Sequence, residues 1–209
     1  MITSYKKNGW FFGDSFTWGQ GCRPKDAYYQ FTINNIGKRW SEIICDTYNL
    51  KEINLGKNGA SNPYIINTII ENIKNIKSGD FVFIGKTIPM RTMVTHMKKR
   101  EIVTFTDLVD VNKVTNTEEQ KEILINYIYE FIIPFEKEWE EYYSKQYLNL
   151  STIIKDKGAS VLIWNHTTWS DYETIREYTS GKIDDGHWTW ESHKLFSEWV
   201  LGNLNSNLI

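Results

Sequence analysis

The sequence predicts an α/β protein in three layers (α/β/α), with helices covering both faces of a mostly parallel sheet. Short runs of buried-strand residues, at 7–12, 81–84 and 159–164, alternate with longer segments of helical periodicity. Strands separated by helix-length segments are usually joined by crossover connections, which make neighbouring strands parallel. Because 209 residues with 41% hydrophobic content can form one sizeable core, we expect a single domain over 1–209.

Composition excludes several classes of function. The formal net charge of −2 gives no strong attraction to nucleic acid or to an anionic membrane. There is no apolar run of about 18 residues, and the first residues lack the apolar stretch of a signal peptide. We therefore expect a cytoplasmic or virion-associated protein. Cys22 and Cys45 are not at metal-ligand spacing, so we expect free thiols, no metal and no cofactor.

The first strand ends in the stretch that carries the candidate nucleophile. Residues 7–12 favour a strand, Gly13 allows a sharp turn, and Ser15 follows two positions later. This arrangement delivers a serine to the carboxyl edge of a sheet, where α/β proteins bind ligands. An ordinary turn containing Gly-Asp-Ser is the alternative, so Ser15 needs partners elsewhere in the chain.

The elements that follow repeat the alternation of helix and strand. Apolar residues near a period of 3.6 predict a helix over 26–48, and a short strand follows at 52–55. A glycine-rich loop leads to a helix ending near residue 77, with Asn62 as its N-cap and Pro63 in its first turn. Ser78-Gly79-Asp80 then turns the chain into the strand at 81–84.

The segment from 88 to 116 has no strong periodicity, and we interpret it as an insertion or lid. After it, Thr117 and Gln120 resemble a capping box that begins a long helix to about residue 148, with Pro134 forcing a kink. Core packing is the simplest explanation for the many aromatic residues of this helix, and a partner interface is the alternative. A strand at 159–164 and a helix at 189–204 complete the chain.

A serine nucleophile needs a histidine base and a group that orients the histidine. The chain has four histidines. We expect His96 to be solvated, His193 to pack or cap within the last helix, and His166 to line a cleft or make a structural hydrogen bond. His187 stands in Asp184-Asp185-Gly186-His187, where a short turn can fold a carboxylate onto the imidazole. The alternative is an acidic turn that caps the last helix.

These blocks together resemble the SGNH (GDSL-like) hydrolase family over nearly the whole chain. Gly13-Asp14-Ser15-Phe16-Thr17-Trp18-Gly19 is similar to the nucleophile block, and Asp184-Asp185-Gly186-His187 is similar to the Asp-x-x-His block. The stretch 54–62 is similar to the second block. The resemblance implies a flavodoxin-like three-layer fold, a catalytic triad of Ser15, His187 and Asp184, and backbone N–H groups of Ser15 and Gly59 as oxyanion donors. Asp185 is the competing triad acid.

The third block departs from the family pattern. The family has Gly-x-Asn-Asp, whereas this chain has Gly85-Lys86-Thr87, so Thr87 stands where the asparagine oxyanion donor is expected. A threonine hydroxyl donates one hydrogen bond with a shorter reach. Lys86 or Arg91 is a candidate to supply the missing positive charge.

The resemblance implies a serine esterase that hydrolyses small acyl esters, with acetyl esters of carbohydrates as the favoured class. Tryptophans near the predicted carboxyl edge suit stacking on sugar rings: Trp18, Trp164, Trp169, Trp188 and Trp190. Candidate substrate-binding residues are Asp14, Trp18, Arg91, His166 and Trp188. The alternatives are a non-catalytic carbohydrate-binding or structural protein that retains the fold, and an acyltransferase that shares every catalytic residue.

Overall fold

The computed structural model describes residues 6–19, 37–89, 91–96, 99–103, 117–165, 188 and 190–207. Its strands are β1 (Asn8–Phe12), β2 (Lys51–Asn54), β3 (Phe81–Gly85), β4 (Thr92–His96), β5 (Lys99–Val103) and β6 (Ser160–Trp164). Its α-helices are α1 (Ser15–Trp18), α2 (Trp40–Thr47), α3 (Asn62–Asn72), α4 (Glu118–Tyr127), α5 (Glu136–Asp156) and α6 (Trp190–Asn207).

Four of these strands form one parallel sheet in the order β2-β1-β3-β6. The last residue of β1, Phe12, pairs with Ile84, and Phe11 pairs with Asn54 of β2. The carboxyl ends of β2, β1 and β3 therefore lie side by side at one edge. This confirms the α/β class, and the residues after these strands are the ones that can meet there.

Helices pack on both faces of the sheet because successive strand residues point to opposite sides. On one face Phe11 and Phe83 pack with Trp40 of α2 and Phe196 of α6. On the other face the neighbouring strand residues pack against α3 and α5, in a cluster of Trp10, Phe12, Val82, Ile84, Ile65, Ile69, Tyr147 and Ile154. Two helical layers around a parallel sheet are consistent with the predicted three-layer arrangement.

Two predicted helix starts differ from the structure. Of the helix expected over 26–48, residues 26–36 lie outside the described residues, residues 37–39 are not helical, and α2 begins at Trp40. Arg39 is extended, and its N–H donates to the Glu42 carboxylate at 2.9 Å, which caps a new helix at this point. The N-cap of α3 is Ser61 rather than Asn62, because the Ser61 hydroxyl accepts from the Tyr64 N–H.

The long helix after residue 117 begins as predicted and breaks near Pro134. The Thr117 hydroxyl accepts from the Gln120 N–H at 3.1 Å. A π-helical turn (Ile128–Ile132) and a 3₁₀ turn (Ile133–Phe135) separate α4 from α5, since proline cannot supply the N–H that continues a regular helix. The helix α5 ends at Asp156, later than expected.

The expectation that core packing explains the aromatic residues of this region is wrong for most of them. Tyr143 and Tyr147 are buried, whereas five others are exposed: Tyr127, Tyr129, Phe131, Phe135 and Tyr142. Four of the five precede α5, and Tyr142 is next to the buried Tyr143 within it.

The segment predicted as an insertion contains an antiparallel hairpin, β4–β5, in which Thr92 pairs with Val103. Both strands contain β-branched residues, which favour extended backbone: Thr92, Val94 and Thr95 in β4, and Ile102 and Val103 in β5. Residues 104–116 lie outside the described residues, and the role of the segment as a lid stays a prediction.

Two further expectations concern thiols and membranes. Cys45 is a buried free thiol, and burial, followed by the nearby Glu52 and Asp46 carboxylates, raises its pKa to about 12. It is therefore a poor nucleophile, while Cys22 lies outside the described residues.

Among the described helices, none combines the length and apolar character needed to cross a bilayer.

The amino-terminal edge of the sheet is held by the buried carboxylate of Asp80. This carboxylate accepts from the Asn8 N–H and the Trp10 indole, each at 2.9 Å, and from the Lys77 N–H at 3.1 Å. The Asp80 carbonyl also accepts from the Ser160 N–H at 2.9 Å. Burial alone raises the pKa of Asp80, but these hydrogen bonds outweigh it and lower the pKa below its ordinary value.

We expect Asp80→Asn to lower the free energy of unfolding by about 1–3 kcal/mol at neutral pH, because an amide cannot accept from all of these donors. Since the pKa of folded Asp80 is lowered, its contribution is complete above the unfolded pKa of about 3.9 and is lost as the pH falls through the folded value. Urea unfolding at neutral pH and near pH 3 measures both effects.

The matched control is Asp46→Asn, since the Asp46 side chain is 62% exposed and pairs only at the surface with Lys38. This change should alter the free energy of unfolding by less than about 0.5 kcal/mol. Equal effects of the two substitutions, or an Asp80→Asn effect that does not shrink in acid, would contradict the role given to Asp80.

Candidate active site

Ser15 follows the carboxyl end of β1 and is the first residue of the one-turn helix α1. Asp14 caps this helix, since its Oδ1 accepts from the Phe16 N–H at 3.1 Å. Gly19, with φ of +88°, ends the helix in the left-handed conformation that glycine adopts at low cost. The sequence therefore correctly predicts a serine at a strand-to-helix turn. Ser15 is 1% exposed.

The turn packs directly on the end of β3 because two glycines leave room for Thr17. A Cβ atom on Gly13 would overlap the Thr17 hydroxyl, and a Cβ on Gly85 would lie 2.8 Å from the same oxygen and 2.9 Å from the Trp164 ring. Real Cβ contacts are longer than these distances, so neither position accepts a side chain without displacement of the chain. The loops after β1 and β3 can approach this closely because Gly13 and Gly85 have no side chain.

The loop after β2 lies against the other side of the same turn. A Cβ on Gly56 would lie 2.5 Å from the Trp18 nitrogen, and the Lys57 N–H donates to the Gly13 carbonyl at 3.1 Å. The Asn54 amide donates to the Thr17 carbonyl at 2.8 Å. These contacts bring the loop that carries Gly59 beside the residues around Ser15.

Gly59 has the conformation that its predicted role requires of a glycine. Its φ is +68°, in the left-handed region, and the space where a Cβ would stand is open to 4 Å. No acceptor for the Gly59 N–H occurs among the hydrogen bonds of the described residues. The oxyanion role of this N–H stays a prediction.

Asp14 is the centre of a buried ion pair that links the loops after β1 and β3. Its Oδ2 accepts from the Thr87 hydroxyl at 3.0 Å and from Arg91 Nη1 at 2.9 Å. Arg91 Nη1 also donates to the Thr87 hydroxyl oxygen at 2.8 Å. The side chains of Asp14 and Arg91 are 2% and 17% exposed, so the pair is largely shielded from water.

The backbone of Thr87 is held in turn by Asn62 of α3. The Asn62 amide donates to the Thr87 carbonyl at 3.0 Å, and its oxygen accepts from the Thr87 N–H at 3.2 Å. That oxygen also accepts from the Tyr147 hydroxyl of α5 at 2.9 Å. Burial, with a smaller effect of the Asp14 charge, raises the pKa of Tyr147 well above its ordinary value, so it remains a neutral donor.

A small polar pocket adjoins Thr87 on the side of α5. It has a volume of about 30 Å³ and is lined by Asn62, Lys86, Thr87, Pro89, Glu140, Tyr143, Ser144 and Asn165. Lys86 Nζ donates to the Ser144 hydroxyl at 3.2 Å, so its ammonium is directed to α5. The pocket has room for a water molecule or a very small substituent.

These contacts change how the predicted site residues are understood. The single hydroxyl proton of Thr87 is directed to Asp14, so an oxyanion role for Thr87 would require its hydroxyl to turn away from that carboxylate. Asp14 and Arg91, which the sequence predicts as candidate substrate-binding residues, are hydrogen-bonded to each other and join the two loops, and their contact with a substrate stays a prediction.

Two of the tryptophans considered for sugar stacking are core residues. Trp188 is 2% exposed and lies between Trp164 and Phe16, with ring centroids at 5.7 and 4.8 Å. Trp164 is 1% exposed. This packing leaves neither ring open to a sugar, whereas Trp18 is half-buried. His193 is fully buried against Trp188, as the packing alternative predicts.

The remaining predicted catalytic residues, His187, Asp184 and its competitor Asp185, lie outside the described residues, as does His166. The structure therefore describes the serine side of the site and not the base. No group of three or more potential metal-ligating side chains occurs within the described part of the chain.

Sequence reasoning missed two residues that build the site, Asn62 and Tyr147. Asn62 was assigned to a helix cap because it precedes Pro63, and its actual partner is 25 residues away in the sequence. Tyr147 was one aromatic among many in the long helix, and no local signal distinguishes it.

No protein-family model matches the chain, and no curated protein is significantly similar to it.

We expect Arg91→Met to lower the free energy of unfolding by about 2 kcal/mol, because it leaves the buried Asp14 carboxylate without its cation. Lys121→Met is the control, since Lys121 pairs at the surface with Glu118, which is 92% exposed. Its effect should stay below about 0.5 kcal/mol. An Arg91→Met protein as stable as the wild type in urea would show that the pair does not hold the loops.

We expect Gly13→Ala to destabilise the protein by at least about 2 kcal/mol, because the new methyl group overlaps Thr17. Gly202→Ala provides the comparison, since a Cβ there meets nothing within 4 Å and alanine favours the helix α6. Thermal unfolding should rank the variants with Gly13→Ala lowest and Gly202→Ala at or above wild type. The reverse order is incompatible with the close packing of the turn.

Proposed function

We propose that this protein is a serine esterase of the SGNH type that hydrolyses small acyl esters. The observation that carries the proposal is the convergence of three loops at one edge of the sheet. Ser15 follows β1, and the loops after β2 and β3, which bear Gly59 and Thr87, contact the turn that holds it. The SGNH version of the three-layer fold, with a flavodoxin-like sheet, is part of this proposal.

In the proposed reaction His187, oriented by Asp184, removes the Ser15 hydroxyl proton as the Ser15 oxygen attacks the ester carbonyl. The N–H groups of Ser15 and Gly59 donate to the resulting oxyanion. His187 then gives the proton to the leaving alkoxide, which leaves an acyl-serine. Water, deprotonated by His187, adds to the acyl-serine, and collapse of the second tetrahedral intermediate releases the acid and restores the Ser15 hydroxyl.

The burial of Ser15 supports a small acyl group, such as acetyl, over a long one. Ser15 is 1% exposed, so there is little free space around its hydroxyl for the acyl group of a bound ester. The resemblance extends the proposal to acetyl esters of carbohydrates, with Trp18 as the half-buried aromatic nearest to Ser15 in sequence.

A non-catalytic binding or structural role is the second candidate, and two observations favour it. Ser15 is almost completely buried, and the Thr87 hydroxyl is directed to Asp14 rather than to an open site. Because loss of one oxyanion donor costs about 10²–10³ in turnover, the altered third block would weaken a hydrolase without a compensating group. Acyl transfer to a second substrate would use the same residues and differ only in the acceptor.

We expect a fluorophosphonate probe to label the wild-type protein at Ser15, because an activated serine oxygen displaces fluoride from phosphorus. Ser15→Ala should abolish labelling, and His187→Ala should slow it by at least about 10³-fold. Intact mass spectrometry measures the adduct, and release of p-nitrophenol from p-nitrophenyl acetate measures turnover.

Ser78→Ala is the matched control, because Ser78 is an exposed serine in the turn before β3, at the opposite edge of the sheet. It should label at the wild-type rate. Absence of labelling in the wild type, or labelling that persists in Ser15→Ala, would favour the non-catalytic role. Labelling without hydrolysis, but with acetyl transfer to an added saccharide, would identify the transferase.

A further inference from the structure

Exposed apolar side chains are concentrated in residues 117–142, which we call the acidic aromatic segment. Eleven large hydrophobic residues are exposed among the described residues, and seven lie in this segment: Ile123, Tyr127, Tyr129, Phe131, Ile133, Phe135 and Tyr142. Their exposed fractions run from 37% to 63%. Clusters of this kind on a protein surface usually mark an interaction site.

Part of the segment forms an open groove. It is shallow, has a volume of about 610 Å³, and is lined by Phe131, Phe135, Glu138, Trp139 and Tyr142. The rings of Trp139 and Tyr142 stand at 90° with centroids 5.9 Å apart, which makes two perpendicular apolar walls. The Trp139 indole donates to the Phe131 carbonyl at 3.4 Å, so the groove spans the break at Pro134.

The helix α4, at the start of the segment, has no buried residue of its own. It is ten residues long, and isolated helices shorter than about 12–15 residues are marginal in water. Ile123 and Tyr127 of this helix are 63% and 46% exposed. Packing of α4 against another surface would stabilise both the helix and its apolar side chains.

The charge of the segment indicates which kind of surface that is. Residues 117–142 contain eight glutamates and two lysines, and all eight glutamates are exposed. The whole chain has a net charge of only −2, so negative charge is concentrated here. Pairing this segment with the same segment of a second copy would bring sixteen carboxylates together, which opposes self-association. A neutral saccharide would gain little from the field.

We propose that the acidic aromatic segment binds a basic amphipathic helix of another protein. Apolar side chains of that helix fill the groove at Phe135 and Tyr142, and its lysines and arginines face Glu138 and Glu141. This is recognition of a helix in an apolar groove, with the charges setting partner choice. The inference is independent of the proposed esterase activity, since none of these residues belongs to the site around Ser15.

The test uses the full chain and a synthetic amphipathic helix of about 18 residues made of leucine and lysine. A peptide with glutamate in place of lysine is the comparison. Isothermal titration calorimetry should show that the leucine–lysine peptide binds at about 50 mM NaCl and that its affinity is lower at about 500 mM NaCl. Equal affinity for the two peptides would overturn the proposal.

The double variant Phe135→Ser with Tyr142→Ser should lower the affinity for the leucine–lysine peptide by at least about tenfold. Ile70→Ser is the control, since Ile70 is 52% exposed on α3, outside the segment. It should leave the affinity unchanged. Glu138→Lys with Glu141→Lys should reduce the preference for the leucine–lysine peptide, and circular dichroism checks that each variant folds. Equal binding by wild type and the double serine variant would overturn the proposal.

Two other results would also overturn it by identifying a different occupant. A wild-type dimer in sedimentation velocity that becomes monomeric in the double serine variant would assign the groove to a second copy. Displacement of the peptide by neutral oligosaccharides would assign it to a saccharide.

Discussion

The carboxyl edge of this sheet depends on one buried carboxylate, that of Asp14. Its two oxygens accept hydrogen bonds from the Phe16 N–H, the Thr87 hydroxyl and the Arg91 guanidinium. These bonds join the turn after β1 to the loop after β3. Burying a carboxylate without these donors would lower the free energy of unfolding. This penalty favours the one arrangement of the loops in which all three donors are present. Asn62 and Tyr147 extend the network to both helices on one face of the sheet.

The opposite edge is built on the same principle with different partners. The Asp80 carboxylate accepts hydrogen bonds from backbone N–H groups and an indole rather than from a cation, and these bonds join β1 to the turn before β3. The Asp80 carbonyl accepts from the first N–H of β6. Buried carboxylates therefore join neighbouring strands or their loops at both ends of the central strands. Between them the core is aromatic and apolar, which contributes burial energy but little directional information.

The aromatic residues of the long helical region are exposed at one end and buried at the other. Tyr143 and Tyr147 of α5 pack against the sheet, whereas Phe135 and Phe131, which precede Tyr143 by eight and twelve residues, are exposed beside a concentration of glutamates. Pro134 interrupts the regular hydrogen bonding of the helix within the exposed part, and the groove includes residues on both sides of this break. The site around Ser15 and the aromatic groove are therefore distinct surfaces with different chemistry.

The sequence by itself determined the features that depend on local pattern: the strands at β1, β3 and β6, the turn that delivers Ser15, the Thr117 cap and the break at Pro134. Apolar runs, glycines, capping residues and proline act over a few positions, so they can be interpreted in order along the chain. Only the tertiary structure decided that Asn62 holds Thr87, that Asp14 pairs with Arg91, that Trp188 lies in the core and that Phe131 does not. Each of these depends on a contact between residues far apart in sequence, or on which side of a helix meets the sheet, and no local pattern encodes either.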